Sequence, residues 1–364
     1  MANNRVYYAI YQVGFSKVGQ NSFIAAHGVQ SVAITTSFNV SPVFEVGQLA
    51  LYDTIEAIPD VELSMEKVLD GYPPLYLLAT NGATAATFAG RSTVKTTVGL
   101  SYFDEALVSA TGTPVSQVTM SGMAVSAVSY SFPTEGEFRE SVTIVGNDKV
   151  WRHSIPFTFS GAFDANVEES PVSIAGSGGV NTRKNMLFTP TVATLDANSQ
   201  VADPNCTILP RILPGISSSG TNDVGGDGNF GAHITSISIS TDLGREQLFE
   251  LGRNAPYYRY TTFPTEVRCE IEMIARSGDM ISATENGVYS GGTNLRNESI
   301  RVAVKEGLRL NLGTKNRLNS VNTSGGDTGG GNVSVSYSFV NYNFLTVEHW
   351  NDCTTALKVA QGGV

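Results

Sequence analysis

The residues of this sequence that could do chemistry are a glycine-rich segment, isolated histidines and pairs of glutamates. The segment GDGNFG at residues 226–231 matches the letters of a dinucleotide-binding fingerprint, whose glycines let a phosphate approach backbone amides. Such a fingerprint follows a strand and opens a helix, whereas this segment follows a polar loop and leads into a predicted strand. We interpret it as an ordinary glycine loop.

Metal ligation has little support in the sequence. Asp223 and Asp227 lack the alternating acids and the closing glutamate of a standard calcium loop. The histidines include no pair at the spacing of a helical zinc motif; they are His27, His153, His233 and His349. The cysteines are odd in number and far apart, which favours neither a disulfide framework nor a zinc site; they are Cys206, Cys269 and Cys353. We expect no metal and no cofactor.

Carboxylate pairs are the remaining candidates for catalysis. Glu62 with Glu66, and Glu270 with Glu272, lie on the polar faces of two predicted strands, where solvation is their ordinary role. A glycosidase uses two carboxylates on either side of a bond, but nothing in the sequence selects one pair. The chain has neither a G-x-S-x-G elbow nor a phosphate-cradling loop. We therefore expect that the protein is not an enzyme and has no catalytic residues.

The elements that carry these glutamates belong to a repeat. Residues 29–59 align without a gap with residues 234–264, and nine of the 31 positions are identical, including the F-E-x-G phrase at Phe44 and Phe249. The segment VSYSF occurs at residues 128–132 and again at 335–339, at a similar distance from that phrase. Two landmarks in one order indicate a duplicated domain. We predict domains at 1–160 and 207–364, joined by a linker or extended arm at 161–206.

Composition and periodicity indicate an all-β protein with short helices. Charged residues are only 15% of the 364 and glycines number 37, which suits sheets joined by turns. Residues 61–68 and 267–274 alternate apolar and polar side chains, as strands with one buried face do. Two separate strands are predicted at 115–120 and 125–132, and a short helix at 102–110. Residues 322–332 are predicted to be a loop.

Charge and hydropathy exclude several classes of function. The net charge of −10 and the pI near 4.9 disfavour tight nucleic-acid binding, which requires clustered Lys and Arg. No apolar run reaches the length of a membrane span, and the first residues do not resemble a signal peptide. We expect a protein that assembles in a reducing cytoplasm and does not associate with membranes.

The paired phrases FEVGQLALYDTIEAIPDVELSMEKVLDG and LGREQLFELGRNAPYYRYTTFPTEVRCEIEM resemble the tail tube (major tail) proteins of tailed bacteriophages. This resemblance implies two tandem β-sandwich or part-barrel tube domains. In that family six domains form a ring whose inner strands close a barrel, and rings stack into a tube through which DNA passes. Two domains in one chain imply trimeric rings. The implied partners are other copies and tail proteins such as sheath, terminator or baseplate, and the implied location is the virion, after assembly in the bacterial host.

Several alternatives remain open at this point. Glu62, Glu66, Glu270 and Glu272 are candidates for the face that lines the lumen, but the outer solvent face suits them equally. The chain would also suit another phage structural protein, such as a baseplate or hub component or a head decoration. A glycan-binding β-sandwich is the third alternative, although Trp151 and Trp350 are the only tryptophans.

Overall fold

The structure of this chain is a computed structural model. It describes residues 11–20, 22–81, 85–104, 113–152, 157–160, 180–186, 188, 207–216, 231–253, 256–275, 281, 296–304, 308–325 and 331–349. Sequence predictions that fall elsewhere lie outside the described residues. These are the glycine loop with Asp223 and Asp227, most of the helix predicted at 102–110, and His153, Cys206, Trp350 and Cys353.

The described residues form an all-β fold with short helices, as the sequence predicts. The strands of the N-terminal part are β1 Tyr11–Lys17, β2 Ser22–Ala25, β3 Val29–Ser37, β4 Val40–Phe44, β5 Leu51–Glu56, β6 Asp60–Val68, β7 Ala85–Thr87, β8 Thr96–Tyr102, β9 Ser116–Pro133, β10 Arg139–Gly146, β11 Val150–Arg152 and β12 Thr158–Ser160. The strands of the C-terminal part are β13 Ile234–Asp242, β14 Arg245–Leu248, β15 Tyr258–Thr261, β16 Glu266–Ile274, β17 Arg301–Ala303, β18 Arg309–Asn311, β19 Arg317–Ser324, β20 Ser334–Tyr342 and β21 Thr346–Glu348. The helices are α1 Leu75–Ala79 and α2 Phe88–Arg91.

The main sheet runs through the whole molecule in the order β3-β6-β10-β9-β13-β16-β20-β19, with every neighbouring pair antiparallel. One face carries the alternating apolar residues and packs into the core, with Leu63, Ile144, Ile271 and Phe339 fully buried. The other face carries mainly Ser, Thr and charged side chains. The two-residue period of a strand produces this separation, because alternate side chains point to opposite faces.

Strand β9 connects two layers of the fold. Its first half pairs with β8 and β11 in a layer that also contains β1, β2 and β12, and its second half belongs to the main sheet. The sequence predicts two strands here; the structure has one strand of 18 residues. On the C-terminal side a small sheet of β17, β18 and β21 takes β7 from the N-terminal part as its last strand. The two parts of the chain therefore share both sheets.

The main sheet consists of two four-stranded repeats with the same internal register. The first repeat is β3, β6, β10 and the second half of β9; the second repeat is β13, β16, β20 and β19. Ile34 pairs with Leu63 as Ile239 pairs with Cys269, and both strand pairs have an irregularity at the same place. A second irregularity, which skips Ser126 in β9 and Asn319 in β19, also recurs. The order of strands and the registers therefore repeat.

The equivalence of the VSYSF segments is wrong. Residues 128–132 lie in β9, whereas residues 335–339 lie in β20, which occupies the position of β10. Any strand with one buried face can carry this alternating pattern, so its recurrence does not identify equivalent strands. The loop predicted at residues 322–332 is also partly wrong, because Asn322 to Ser324 complete β19. Residues 102–104 of the predicted helix are the end of β8 and a short coil.

The segment predicted as a linker or arm contacts both parts of the chain where it is described. The backbone N–H of Asn181 donates to the carbonyl of Leu69, and its carbonyl accepts from the N–H of Phe138. Five residues later Met186 forms a β-bridge with Val304. The domain boundaries at 160 and 207 stay predictions, since residues 161–179 and 189–206 lie outside the described ranges.

Candidate assembly surfaces

The main sheet ends in two strands that pair on one side only within the described structure, β3 and β19. Strand β3 has nine residues and contains neither Pro nor a charged side chain. Natural proteins usually protect such an edge with Lys, Pro, a bulge or a covering segment, because its free N–H and C=O groups recruit other strands. Beyond the irregularity beside Val29, an edge of this length that no described segment pairs with is a candidate site for pairing with another chain.

The two repeats meet at an internal junction, the antiparallel pairing of β9 with β13. Tyr130 pairs with Ile239 and Val128 with Thr241, and the backbone N–H of Leu243 donates to the carbonyl of Ser126 at 2.7 Å. Strand β13 is equivalent to β3, and the second half of β9 is equivalent to β19. The internal junction therefore joins the counterpart of β3 to the counterpart of β19. In the described structure, β3 and β19 themselves have no partner strand on their outer sides.

Side chains reinforce the internal junction. Arg259 of β15 is almost fully buried, and its guanidinium donates to the carboxylate of Asp60 at 2.7 Å and to the side-chain oxygen of Asn147 at 3.0 Å. Gln247 donates to the same carboxylate at 2.9 Å. These bonds join the hairpin of the second repeat to the first repeat. Hydrogen bonds between charged groups of this kind are stronger than neutral ones.

Each repeat also carries one hairpin with an exposed apolar tip, β4–β5 in the first and β14–β15 in the second. Phe44 and Phe249 are equivalent and exposed, and Val46 and Leu251, also equivalent, are fully exposed. Gly47 and Gly252 follow them with φ of 101° and 82°, a backbone conformation that favours glycine. The recurrence of apolar residues at both tips indicates an interaction surface rather than isolated exposed side chains.

All four glutamates predicted to line a lumen lie on the polar face of the main sheet. Glu66 and Glu272 are equivalent, and each has a serine as its neighbour on both adjacent strands. Glu66 accepts from Arg139 at 2.6 Å, and Glu272 accepts from Ser236 at 3.2 Å. Glu62 and Glu270 are exposed on the same face. The face also carries Arg139, Arg268 and Arg317, so it is mixed in charge and rich in serine rather than uniformly acidic.

A charged cluster lies within the apolar layer of the first repeat. Lys67 and Glu140 pair across β6 and β10, and both are fully buried. Lys67 Nζ donates to Asp70 at 2.7 Å, while Glu140 accepts from Tyr130 and from the first backbone N–H groups of α1. Burial lowers the pKa of Lys67 and raises that of Glu140. The sequence carried a signal for this cluster, because both residues fall in the apolar phase of alternating strands.

The second repeat has Met273 and Val335 at the positions of Lys67 and Glu140. An apolar pair therefore fills the same place in the other copy of the sheet. The charged cluster is consistent with a structural role, in which it holds α1 and the start of the segment after β6 against the sheet. No pocket with a convergent set of reactive groups accompanies it among the described residues.

The remaining candidates for chemistry are scattered through the described part of the fold. His27 stacks on Tyr72, and His349 is buried with Nε2 3.0 Å from the carbonyl of Gly71. His233 is exposed. Cys269 is buried under the main sheet, and burial raises the pKa of its thiol to about 12. Within the described ranges no three His, Cys, Asp or Glu residues are placed to hold a metal, and no helix is long and apolar enough to cross a membrane.

No family model and no curated protein sequence matches this chain. Three solved structures show partial likeness to this chain, each with a TM-score of 0.31 and each covering 42% of this chain. The chain from the tube-terminating cap of the anti-feeding prophage is 9% identical and is covered over 95% of its length. The chain from the baseplate of that prophage is 14% identical and is covered over 98% of its length. The chain from the sheath-tube complex of an extracellular contractile injection system is 11% identical and is covered over 94% of its length.

Proposed function

We propose that this protein is the structural subunit of a phage tail tube, in which copies join edge to edge into a ring and rings stack into a conduit for DNA. One observation carries the proposal: the internal junction is a contact between the two kinds of edge that stay open at the ends of the same sheet. A repeated contact of this heterologous kind generates a ring when the rotation closes. Closure into a barrel removes the free edges.

The exposed hairpins support stacking of such rings. Each hairpin continues from the end of β3 or β13 and returns into β6 or β16, so both extend beyond the same end of the main sheet. In a ring of these sheets the apolar tips, including Val46 and Leu251, would meet the next ring. The contact would bury side chains that are fully exposed in a single chain.

The polar face supports a passive role toward DNA. Its serines and its carboxylates offer no array of free cations that could hold phosphates, and Arg139 is paired with Glu66 and Glu137. In this proposal the face lines the lumen, and no residue of the protein catalyses a reaction. Sheath, terminator or baseplate proteins would contact other surfaces of the tube.

Electron microscopy of the purified protein tests the tube directly. Rings that stack into tubes are expected, and native mass spectrometry of disassembled rings should give three chains, since each chain supplies two repeats. Discrete twofold dimers would contradict the proposal, because an isologous dimer uses one edge against itself. Closed rings that never stack would favour a baseplate or head component instead.

A glycan-binding role has one observation in its favour. The exposed Trp151 ring stacks on Tyr102, with centroids 5.6 Å apart, and Tyr102 packs on Tyr11. A glycan array with the wild-type protein and with Trp151→Ala distinguishes the two roles. Binding that depends on Trp151 would support the glycan role, and its absence would leave the aromatic group as a packing feature.

A further inference from the structure

We infer that neighbouring copies of this chain join through antiparallel pairing of β19 with β3, in the register that the internal junction already displays. This inference rests on the proposed ring and adds which residues meet in it. The internal junction serves as the template because both of its strands have an equivalent at an open edge of the same sheet.

The template fixes the register residue by residue. Residue numbers in β13 are higher by 205 than those of the equivalent residues in β3, and residue numbers in β19 are higher by 193 than those in β9. Each offset is the same on both sides of the irregularity in its strand. The internal pair Ser129 with Ser240 therefore corresponds to Asn322 of one copy with Thr35 of the next. The internal pair Tyr130 with Ile239 corresponds in the same way to Thr323 with Ile34.

Side chains of β13 at the internal junction are more buried than the equivalent side chains of β3, as the proposed contact requires. Ile237 and Ile239 of β13 are buried beside β9, whereas their equivalents Val32 and Ile34 on the open β3 edge are only half-buried. Leu243 is 1% exposed at the internal junction, while its equivalent Phe38 is 72% exposed. A β19 strand from another copy would cover all three of these first-repeat residues.

The hairpins show the same difference. Arg259 and Thr261 of β15 are buried, and Arg259 bonds to the first repeat, whereas every residue of the equivalent β5 is exposed. In the proposed contact β5 would lie against the second repeat of the neighbouring copy. There Tyr342, which is equivalent to Asn147 and now exposed, would be covered as well.

The external contact differs from the template at two residues and keeps its backbone hydrogen bond. Thr54 stands where the second repeat has Arg259, and Glu266 stands where the first has Asp60, so the external contact lacks the ion pair that Arg259 forms with Asp60. The backbone N–H of Phe38 would donate to the carbonyl of Asn319, as that of Leu243 donates to Ser126. The external contact is therefore weaker than the internal one, which suits a joint that forms only during assembly.

Paired cysteines test the register. Thr35→Cys with Asn322→Cys in one chain places two thiols at directly opposed positions, within the separation that a disulfide spans. The shifted pair Thr35→Cys with Ser324→Cys is a matched control, because diagonal neighbours lie roughly 7–8 Å apart. Ser129→Cys with Ser240→Cys is the internal equivalent and should cross-link within a single chain. Cys206→Ser and Cys353→Ser form the background, and Cys269 is buried.

The expected result is covalent closed oligomers from the opposed pair, with roughly tenfold less cross-linking from the shifted pair. If rings form but the shifted pair cross-links preferentially, the proposed register is wrong. Rings seen by electron microscopy without any cross-link from either pair would overturn the choice of strands and leave the proposed function standing. Absence of rings from the background variant with Cys206→Ser and Cys353→Ser, and from the wild type, would overturn both the register and the proposed function.

Discussion

Phe38 and Leu243 occupy the same position in the two repeats, yet Phe38 is 72% exposed and Leu243 only 1%. The difference arises from the neighbouring strand, since β9 covers β13 and no described strand covers the outer edge of β3. A large aromatic side chain left in solvent at an open sheet edge marks the place where a neighbour is expected.

Phe38→Ser should block ring formation without unfolding the chain. Phe38 makes few contacts within one copy, so urea denaturation of the isolated chain should change by no more than about 0.5 kcal/mol. Leu243→Ala, the matched change at the internal junction, should destabilise the chain itself by about 2–5 kcal/mol. Sedimentation of both variants separates the two effects, and rings of unaltered yield from Phe38→Ser would contradict the proposed contact.

Thr54→Arg should strengthen the joint between copies. The new guanidinium would reach Glu266 of the neighbouring copy, as Arg259 reaches Asp60 within the chain. An ion pair at a partly exposed site contributes roughly 0.5–1 kcal/mol and weakens with salt. Rings should therefore form at lower protein concentration in dilute buffer, and the gain should disappear at high salt. Combining the change with Glu266→Gln should abolish the gain; if it persists, the two residues do not meet.

Charges at the hairpin tips should stop stacking but not ring closure. Val46→Asp with Leu251→Asp would place carboxylates where apolar side chains are proposed to meet the next ring. Gln48→Asp adds a single carboxylate at an exposed polar position of the first hairpin and should be tolerated. Electron microscopy should show single rings for the tip variant and tubes for the control. Tubes of normal length from the tip variant would exclude the hairpins as the stacking contact.

Changing Glu62, Glu66, Glu270 and Glu272 together to Lys should slow DNA passage. Phosphates would then meet attractive charges along the wall, and many weak attractions act together within about 10 Å of the surface. The matched variant with four Gln residues removes the negative charges without adding positive ones. The rate of DNA ejection from particles is the measurement. An unaltered rate in the Lys variant with normal assembly would mean that this face does not line the channel.

Glu140→Ala should destabilise the fold by about 3–5 kcal/mol, because it leaves the Tyr130 hydroxyl and the first N–H groups of α1 without their buried acceptor and removes a buried negative charge near Lys67. Glu62→Ala, at an exposed position of the neighbouring strand, is the control and should stay within about 0.5 kcal/mol of wild type. Urea denaturation of the isolated chain measures both. A similar stability of the two variants would show that the buried cluster is dispensable.

Stability should fall as the pH decreases below the ordinary pKa of histidine, about 6.5. Burial lowers the pKa of His349, so the folded state binds a proton less readily than the unfolded state, and the stabilisation present above that pKa is lost as the pH falls. Its Nδ1 has no hydrogen-bond partner among the described residues, and Lys67 lies near enough to oppose a second positive charge. His349→Gln keeps a donor for Gly71 and should flatten the dependence; an unchanged slope would exclude His349 as its source.

The sequence predicted those parts of the fold whose side chains alternate strongly. Leu63 and Met65 on one strand, and Cys269 and Ile271 on its counterpart, have the period of a half-buried strand, and both strands form as expected. Strand β19 was missed because Asn, Ser and Thr dominate it at an edge that no described strand covers. Residue patterns at an edge carry little information about a neighbour that belongs to another copy.

The candidate surfaces were less accessible to sequence reasoning. The phrase around Phe44 and Phe249 identified the hairpins as a repeated feature, but not that their tips are exposed. Pairing of Lys67 with Glu140 is a contact between residues far apart in the chain, and only their position in the apolar phase signals it. The polar placement of the four glutamates and of Arg268 follows from alternation, whereas Arg139 and Arg317 of the same face lie on β10 and β19, and placing them required the registers.

In the proposed ring, the internal junction would also change the kinetics of assembly. In a ring of six repeats, every second joint would already exist when a single chain has folded, at any protein concentration, because its two partners are covalently connected. A complete ring then requires the encounter of three molecules rather than six. Fewer association steps are needed, so the total cost in translational entropy is smaller. A chain of this design would start tubes at concentrations too low for a subunit with one repeat.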